Sequence, residues 1–227
     1  MLPRLESDGR GTAGARAIIG VEDVRVVLVY LMRHGEADYQ PVRHRGWPGA
    51  VADLAPLSDL GIGQARRAAD GLAGAGATAV VASPMTRALQ TAAIVAVRLG
   101  LPVSVEFDLR EWLPDDTFSW RSADDVQAAV NDFDAHGGEW PEGRPRAWEP
   151  LSQLRERCTA ALRTAIGGLP GHEVIIVVCH GMVIWSLTGN RQTRPGQWRT
   201  ILVAPEPAKV ARPANARRYE PDAAGPN

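Results

Sequence analysis

Two histidine-glycine pairs, His34-Gly35 and His180-Gly181, stand where apolar runs of the chain stop abruptly. Arg33 precedes the first, after the β-branched and aromatic run from Val26 to Leu31; the second follows Val174 to Cys179. An imidazole nitrogen can attack phosphorus, and a planar guanidinium offers paired donors matched to the oxygens of a phosphate. Arg87, in Ser83-Pro84-Met85-Thr86-Arg87, adds a second guanidinium. A dianionic phosphate monoester needs such a positive, water-poor cradle.

The elements that must position these groups are legible from hydrophobic pattern. Both apolar runs read as buried strands, and two such strands ending in His-Gly are expected as neighbours in one sheet, with their imidazoles at the carboxyl edge where ligands bind in open α/β sheets. The glycine after each histidine is expected to let the backbone turn sharply beside a small ligand. Leu57 to Ala69 opens a helix with Ser58 or Asp59 as N-cap, and Thr78 to Ala82 is a short strand. From Pro84 to about Leu99 the spacing predicts a helix with Ala88, Ala92, Val95 and Leu99 buried, placing Arg87 in the first turn near the sheet edge. A strand over Val103 to Phe107, a helix over Leu151 to Ile166 ended by Gly167-Gly168, a short helix closing at Gly189 and a strand over Trp198 to Val203 complete the pattern. Ala37 to Pro56 reads as a loop beside the site, and residues 113–148 read as an irregular insertion forming a lid, with one helix around Asp124 to Phe133.

The bulk properties narrow the classes. A chain of 227 residues supports one α/β domain, here expected over 25–203, with a flexible extension over 1–24 and a disordered tail over 204–227. A formal net charge of -1 argues against a general nucleic-acid or membrane-surface binder. Lys209 is the only lysine, so arginine abundance by itself says nothing about phosphate. Cys158 and Cys179 fall in a predicted helix and a predicted buried strand and read as reduced thiols. With no signal-like leader and no apolar run of membrane-spanning length, a cytoplasmic location is expected.

Arg33-His34-Gly35-Glu36 after a strand, Ser83 to Thr91 opening a helix and Cys179-His180-Gly181 after a second strand together resemble the histidine phosphatase superfamily, the phosphoglycerate mutase-like phosphatases. Leu57-Ser58-Asp59-Leu60-Gly61 fits the same pattern, and the resemblance spans Val26 to Gly189. It implies a three-layer α/β/α sandwich with a mostly parallel central sheet. It also implies a phosphomonoester hydrolase working through phosphohistidine on His34, with Arg33, Arg87 and His180 as phosphate pocket and Glu111 as proton donor. Asp115 and Asp116 are the substitutes for Glu111. No metal and no cofactor is called for, and the expected partner is a small phosphorylated metabolite.

Bland readings stand beside each residue. A strand-end histidine is often structural, an arginine in a first helical turn is often solvated, and Glu111 beside Arg110 is commonly a surface ion pair. Ser83 and Gln90 read as a cap and a packing residue, and Glu36 as a site-orienting group or a helix-terminus charge. His44, between Arg43 and Arg45, reads as a second-anion contact or an exposed loop residue; His136 and His172 read as surface. The aromatics Trp112, Phe118, Trp120, Trp140 and Trp148 shape a pocket or anchor the lid. Glu36-Ala37-Asp38-Tyr39-Gln40 replaces the serine and Trp-Asn pair of the mutase branch, and Leu113-Pro114-Asp115-Asp116 replaces the Gly and Trp-Glu-Gly pattern of the phosphatase branch. Cys179 replaces a commoner serine. The alternatives are a phosphoglycerate-mutase-type phosphotransferase and a catalytically weak phospho-ligand or protein-binding module.

Overall fold

Strands rich in valine and isoleucine on both sides of the chain direction must be covered on both faces, and this requirement shapes the whole molecule. The computed structural model describes residues 25–47, 49–144 and 147–204; the extension expected over 1–24 and the tail expected beyond Ala204 lie outside them. The first strand, β1 (Val27–Arg33), pairs in parallel with β4 (Val174–Cys179), which pairs in parallel with β2 (Ala79–Ala82), which pairs in parallel with β3 (Val103–Val105). The last strand, β5 (Trp198–Val203), runs antiparallel along the other side of β1, giving the order β3-β2-β4-β1-β5.

Alternate residues of each strand divide between two cores. Val27, Val29 and Leu31 of β1 and Ile175, Val177 and Cys179 of β4 face α5 (Leu151–Gly167) and α6 (Gly181–Thr188), packing on Leu154, Leu162, Val183 and Ile184. Met32, Ile176 and Val178 face α2 (Asp59–Leu72) and α3 (Thr86–Leu99), packing on Leu72, Ala92 and Val95. The result is the expected three-layer sandwich with a five-stranded, mostly parallel sheet. Small alanines on α2 and α3 let those two helices lie close to each other and to the sheet.

Local chemistry sets the element ends. Ser58 caps α2 by accepting from the Gly61 N–H at 3.0 Å, and Gly189, at φ 73°, closes α6 in the left-handed region. Differences from the expected pattern have physical causes. Helix α3 begins at Thr86 rather than Pro84, because Met85 is extended, and its buried face holds Arg87, Thr91 and Ala96 rather than Leu99. β3 stops at Val105, where the chain turns into a short 3-10 segment, Phe107–Leu109, with Glu106 accepting from the Asp108 N–H. The segment 37–56 is not all loop: it carries α1 (Gln40–Arg43) and a 3-10 turn, Gly49–Leu54. Residues 113–148 contain α4 (Ala123–Ala135), whose N-terminus is held by a capping box of Ser122 and Asp125.

Candidate active site

Register brings the two histidines together. Arg33 of β1 lies opposite Cys179 of β4, and the His34 N–H donates to the Cys179 carbonyl at 3.0 Å, so each chain leaves its strand at the same level. The next residue of each is a histidine, and the rings of His34 and His180 stand edge to face with centroids 5.0 Å apart.

His34 is fixed in one role. Its Nδ1 lies 2.6 Å from the carbonyl of Gly35, an acceptor, so Nδ1 carries the proton and Nε2 keeps its lone pair. Arg87 Nε donates to that Nε2 at 3.3 Å. Burial pushes the imidazole pKa down to about 3, and the charges of Arg87 and Arg33 push the same way, against the opposing effect of the Gly35 hydrogen bond. His34 is therefore neutral across the physiological range.

His180 lies deeper, fully buried, with Nε2 2.7 Å from Ser83 Oγ. Burial, then the charge of Arg87, drives its pKa well below the usual histidine range. Its Nδ1 is buried without a hydrogen-bond partner, as is Nε of Arg33, whose Nη1 is anchored on the Thr193 carbonyl at 2.8 Å. Unpartnered buried donors are costly, and an anion seated among them would satisfy both.

Arg87 is almost wholly buried although it begins a helix. Its Nη1 lies 3.4 Å from the Ala52 carbonyl and 3.8 Å from Asp53 Oδ1, so the segment 49–54 reaches over to hold it. Thr91, one turn along α3, accepts from the Gly35 N–H at 3.1 Å and donates to the Arg87 carbonyl at 2.8 Å, tying the first His-Gly corner to the helix that carries the second arginine.

Gly35 does not have the expected turn role. A Cβ there would collide with the carbonyl of Gly61, and a Cβ on Gly61 would collide with that of Glu36; the two glycines are needed because two backbones touch. Around this contact Ser58 N–H donates to the Glu36 carbonyl at 2.9 Å and Ser58 Oγ donates to the Glu36 carboxylate at 3.0 Å, so Glu36 serves the start of α2. Gln90 accepts from the Leu57 N–H at 2.6 Å, holding the same segment.

Glu111 closes the site from the opposite wall. Burial pushes its pKa above the ordinary carboxylate value, outweighing hydrogen bonds from the Trp112 and Met182 N–H groups and the charges of Arg87 and Arg33. The carboxylate accepts from the Trp112 N–H at 3.0 Å. Asp115 is unsuited to hold a proton: hydrogen bonds from Ser119 and Thr117 pull its pKa down to about 2, and it does not line the cleft. Arg33, His34, Arg87 and Glu111 face one cleft of about 720 Å³, roofed by residues from 39–53 on one side and 112–130 on the other. The two sides clasp where the Gly49 N–H donates to the Trp120 carbonyl at 3.1 Å.

The expected aromatic set divides in two. Trp112 and Trp120 line the cleft, whereas Trp140 and Trp148 pack on each other and on Phe133 in the core, and Phe118 stacks outside on Trp120. His44 ends α1 and is exposed, while its neighbour Arg43 lines the cleft. His136 ends α4 and His172 bonds Thr78 Oγ1 at 2.8 Å. Ser83, read from sequence as a cap, is a partner of His180; Thr91, which helical spacing sets on the same face as Arg87, joins it in the site, whereas sequence gives no sign of Asp53. Only the folded path of 49–54 carries Asp53 to Arg87. Cys158 and Cys179 are both buried and free. Among the described residues no three His, Cys, Asp or Glu side chains converge into a metal-binding group, and no helix is long and apolar enough to cross a membrane.

The comparisons with known proteins agree with this geometry. The Rv0525 protein of Mycobacterium tuberculosis is 31% identical over 186 residues, covering 72% of this chain and 79% of that protein. A Proteus mirabilis protein named "Probable phosphoglycerate mutase GpmB" is 29% identical over 171 residues, covering 71% and 73%. Among solved structures, the mycobacterial glucosyl-3-phosphoglycerate phosphatase Rv2419c superposes with a TM-score of 0.56 at 25% identity, covering 73% of this chain and 79% of that one. The family model of the histidine phosphatase superfamily, branch 1, matches residues 29–209, and the chain belongs to that family.

Proposed function

We propose that the protein is a phosphomonoester hydrolase that works through a phosphohistidine on His34. The observation that carries this reading is the hydrogen bond from His34 Nδ1 to the Gly35 carbonyl at 2.6 Å, which leaves Nε2 unprotonated beside the Arg87 guanidinium. A phosphate oxygen accepting from Arg87 would release the Nε2 lone pair that Arg87 now occupies. Nε2 then attacks phosphorus, the bond from phosphorus to the ester oxygen breaks, and Glu111 gives its proton to the departing alkoxide. In the second step Glu111, now a carboxylate, takes a proton from water; the water oxygen attacks phosphorus, the nitrogen–phosphorus bond breaks and neutral His34 returns. Arg33, Arg87 and His180 stabilise the charge on the transferring group in both steps.

A phosphatase and a mutase named among the similar proteins share this kind of chemistry and differ in what accepts the phosphoryl group. Hydrolysis is favoured here because Glu36 is taken up by Ser58 at the start of α2 and Asp38 by the Gln40 N–H, which leaves Tyr39 as the one side chain of Glu36 to Gln40 that lines the cleft. The test is hydrolysis of an aryl phosphate in EDTA by the native protein and by His34→Ala, with acid-labile phosphoenzyme trapped in parallel. Turnover with a His34-dependent phosphoenzyme is the expected result. Transfer to an added phosphoglycerate that outruns transfer to water would favour the mutase reading, and a folded protein that forms no phosphoenzyme would sink both.

A further inference from the structure

The cleft is far larger than a phosphate, and its volume of about 720 Å³ falls in the range of sites for drug-sized ligands. Its walls beyond the phosphate end are mostly apolar. Segment 39–53 contributes Val42 and Trp47, and the facing side contributes Leu113, Pro114, Trp120 and Val126.

The polar side chains among them are mostly engaged within the protein. Ser122 Oγ accepts from the Asp125 N–H at 3.2 Å as the cap of α4, and Gln127 Nε2 donates to Asn131 Oδ1 at 2.9 Å. Asp53 faces Arg87. Arg43 and Arg121 remain as donors and the Tyr39 hydroxyl as a group that both donates and accepts; the Arg43 guanidinium lies 5.7 Å from the centre of the Tyr39 ring. A polyhydroxylated alcohol has as many donors as acceptors and would find few partners here, losing its hydration without replacement. A flat aromatic alcohol would lose nothing and would gain apolar contact.

Trp47 is placed to supply that contact. It is 47% exposed, high for a tryptophan, and the Arg45 guanidinium lies over its ring at 5.3 Å. Trp120, by contrast, is packed against Phe118 and Gly49 and forms a fixed wall. The exposed indole of Trp47 and the fixed indole of Trp120, both lining the cleft, offer aromatic surface for a planar ring to lie against.

We infer that the ester hydrolysed at His34 is that of an alcohol dominated by a planar aromatic group, seated between the segment of Trp47 and that of Trp120 and Val126, and not that of a sugar or a glycerate. This inference rests on the phosphomonoesterase reading and names its substrate class.

The test compares kcat/KM for 2-naphthylmethyl phosphate and for glycerol 1-phosphate, both esters of primary alcohols, so that leaving-group reactivity does not decide the outcome. The naphthylmethyl ester is expected to be favoured by at least about tenfold. Trp47→Ala and Val126→Asn, on opposite walls, are each expected to reduce that ratio by about threefold or more, with thermal melts confirming that both variants fold. Equal rates for the two esters, or a preference for the glycerol ester, overturn the inference and leave the hydrolase reading standing. If neither ester is turned over, the hydrolase reading is in trouble on its own account, and calorimetry then decides the slot. Binding of 2-naphthylmethylphosphonate about tenfold tighter than methylphosphonate supports it, and equal binding overturns it.

Discussion

Arg87 Nε donates to His34 Nε2 across 3.3 Å, so a guanidinium rests on the nitrogen proposed to attack. The contact holds the ring in place and keeps its second nitrogen free of a proton, and a bound phosphate would take the guanidinium over. Replacing Arg87 with alanine should lower kcat/KM for an aryl phosphate by about 10²- to 10³-fold. Lysine should recover only a small part, since one ammonium cannot present a planar pair of donors. Steady-state kinetics on the three proteins checks this, and a lysine variant with native activity would contradict it.

The pH dependence follows from opposite shifts in two groups. In the proposed mechanism His34 attacks unprotonated and Glu111 donates a proton; with its pKa lowered to about 3, His34 stays competent as pH falls and adds no acid limb above about pH 4. Glu111 must be protonated to donate; its pKa is raised by burial, so kcat/KM declines as pH rises through that raised value. Arg33 and Arg87 oppose the rise and limit it. Glu111→Gln should be slower by about 10²- to 10⁴-fold on an alkyl ester and should lose the alkaline decline, while keeping any limb due to ionisation of the substrate. A pH profile of the variant that parallels the native one would remove Glu111 from the proton donor's role.

Gly35 and Gly181 follow the two histidines, yet they should respond differently to alanine. At Gly35 the new methyl group would drive into the Gly61 backbone, and a loss of about 3 kcal/mol or outright misfolding is expected. At Gly181 its nearest neighbour would be the Arg33 guanidinium at 3.4 Å, an ordinary contact, so stability should change by less than about 1 kcal/mol. Denaturant titrations of the two variants measure the difference.

Ser83 Oγ meets His180 Nε2 and also accepts from the Met85 N–H at 3.4 Å. Ser83→Ala leaves His180 Nε2 without its 2.7 Å partner, and kcat should fall about tenfold while KM for the same ester stays within about twofold. A rise in KM with kcat intact would instead assign Ser83 to substrate binding.

Glu149 and Arg157 form a buried pair, with side chains 7% and 10% exposed, and Arg157 Nη1 also donates to the Asp108 and Arg110 carbonyls at 2.6 and 3.1 Å. Glu149→Gln should cost about 3–5 kcal/mol by leaving a charge unmatched. Because the released arginine also holds the residue before Glu111, activity should become more temperature-sensitive than stability alone explains. Melting curves and activity measured over the same temperatures test both parts.

The strand ends and the first turn of α3 were readable because burial switches to charge within a residue or two at Arg33-His34 and Cys179-His180, and because Ser83-Pro84 marks a strand-to-helix junction. Family resemblance then pointed to Arg87 and Glu111, which no local pattern distinguishes from surface residues. What sequence did not show is long-range contact. The meeting of Gly35 with Gly61, the reach of Asp53 to Arg87 and the bond from Ser83 to His180 all join residues distant in the chain whose local roles, turn, loop and cap, are satisfied without them. The tryptophans divide for the same reason: Trp120 lines the cleft, Trp148 joins the core and Trp112 does both, packing on Phe133 while it faces the cleft.

The strand order has a consequence for how the molecule comes into being. β1 borders only β4 and β5, and β2 reaches β1 only through β4, so the sheet lacks its middle until residues 174–179 exist. On a ribosome, His34 would be made early and wait without its partner His180 through most of synthesis. An exposed run such as Val26 to Leu31 is then without strand partners for that whole interval, which makes the nascent chain a natural client of holding chaperones. Because β4 joins β1 to β2 and leads into His180, the two imidazoles meet only once that strand is seated.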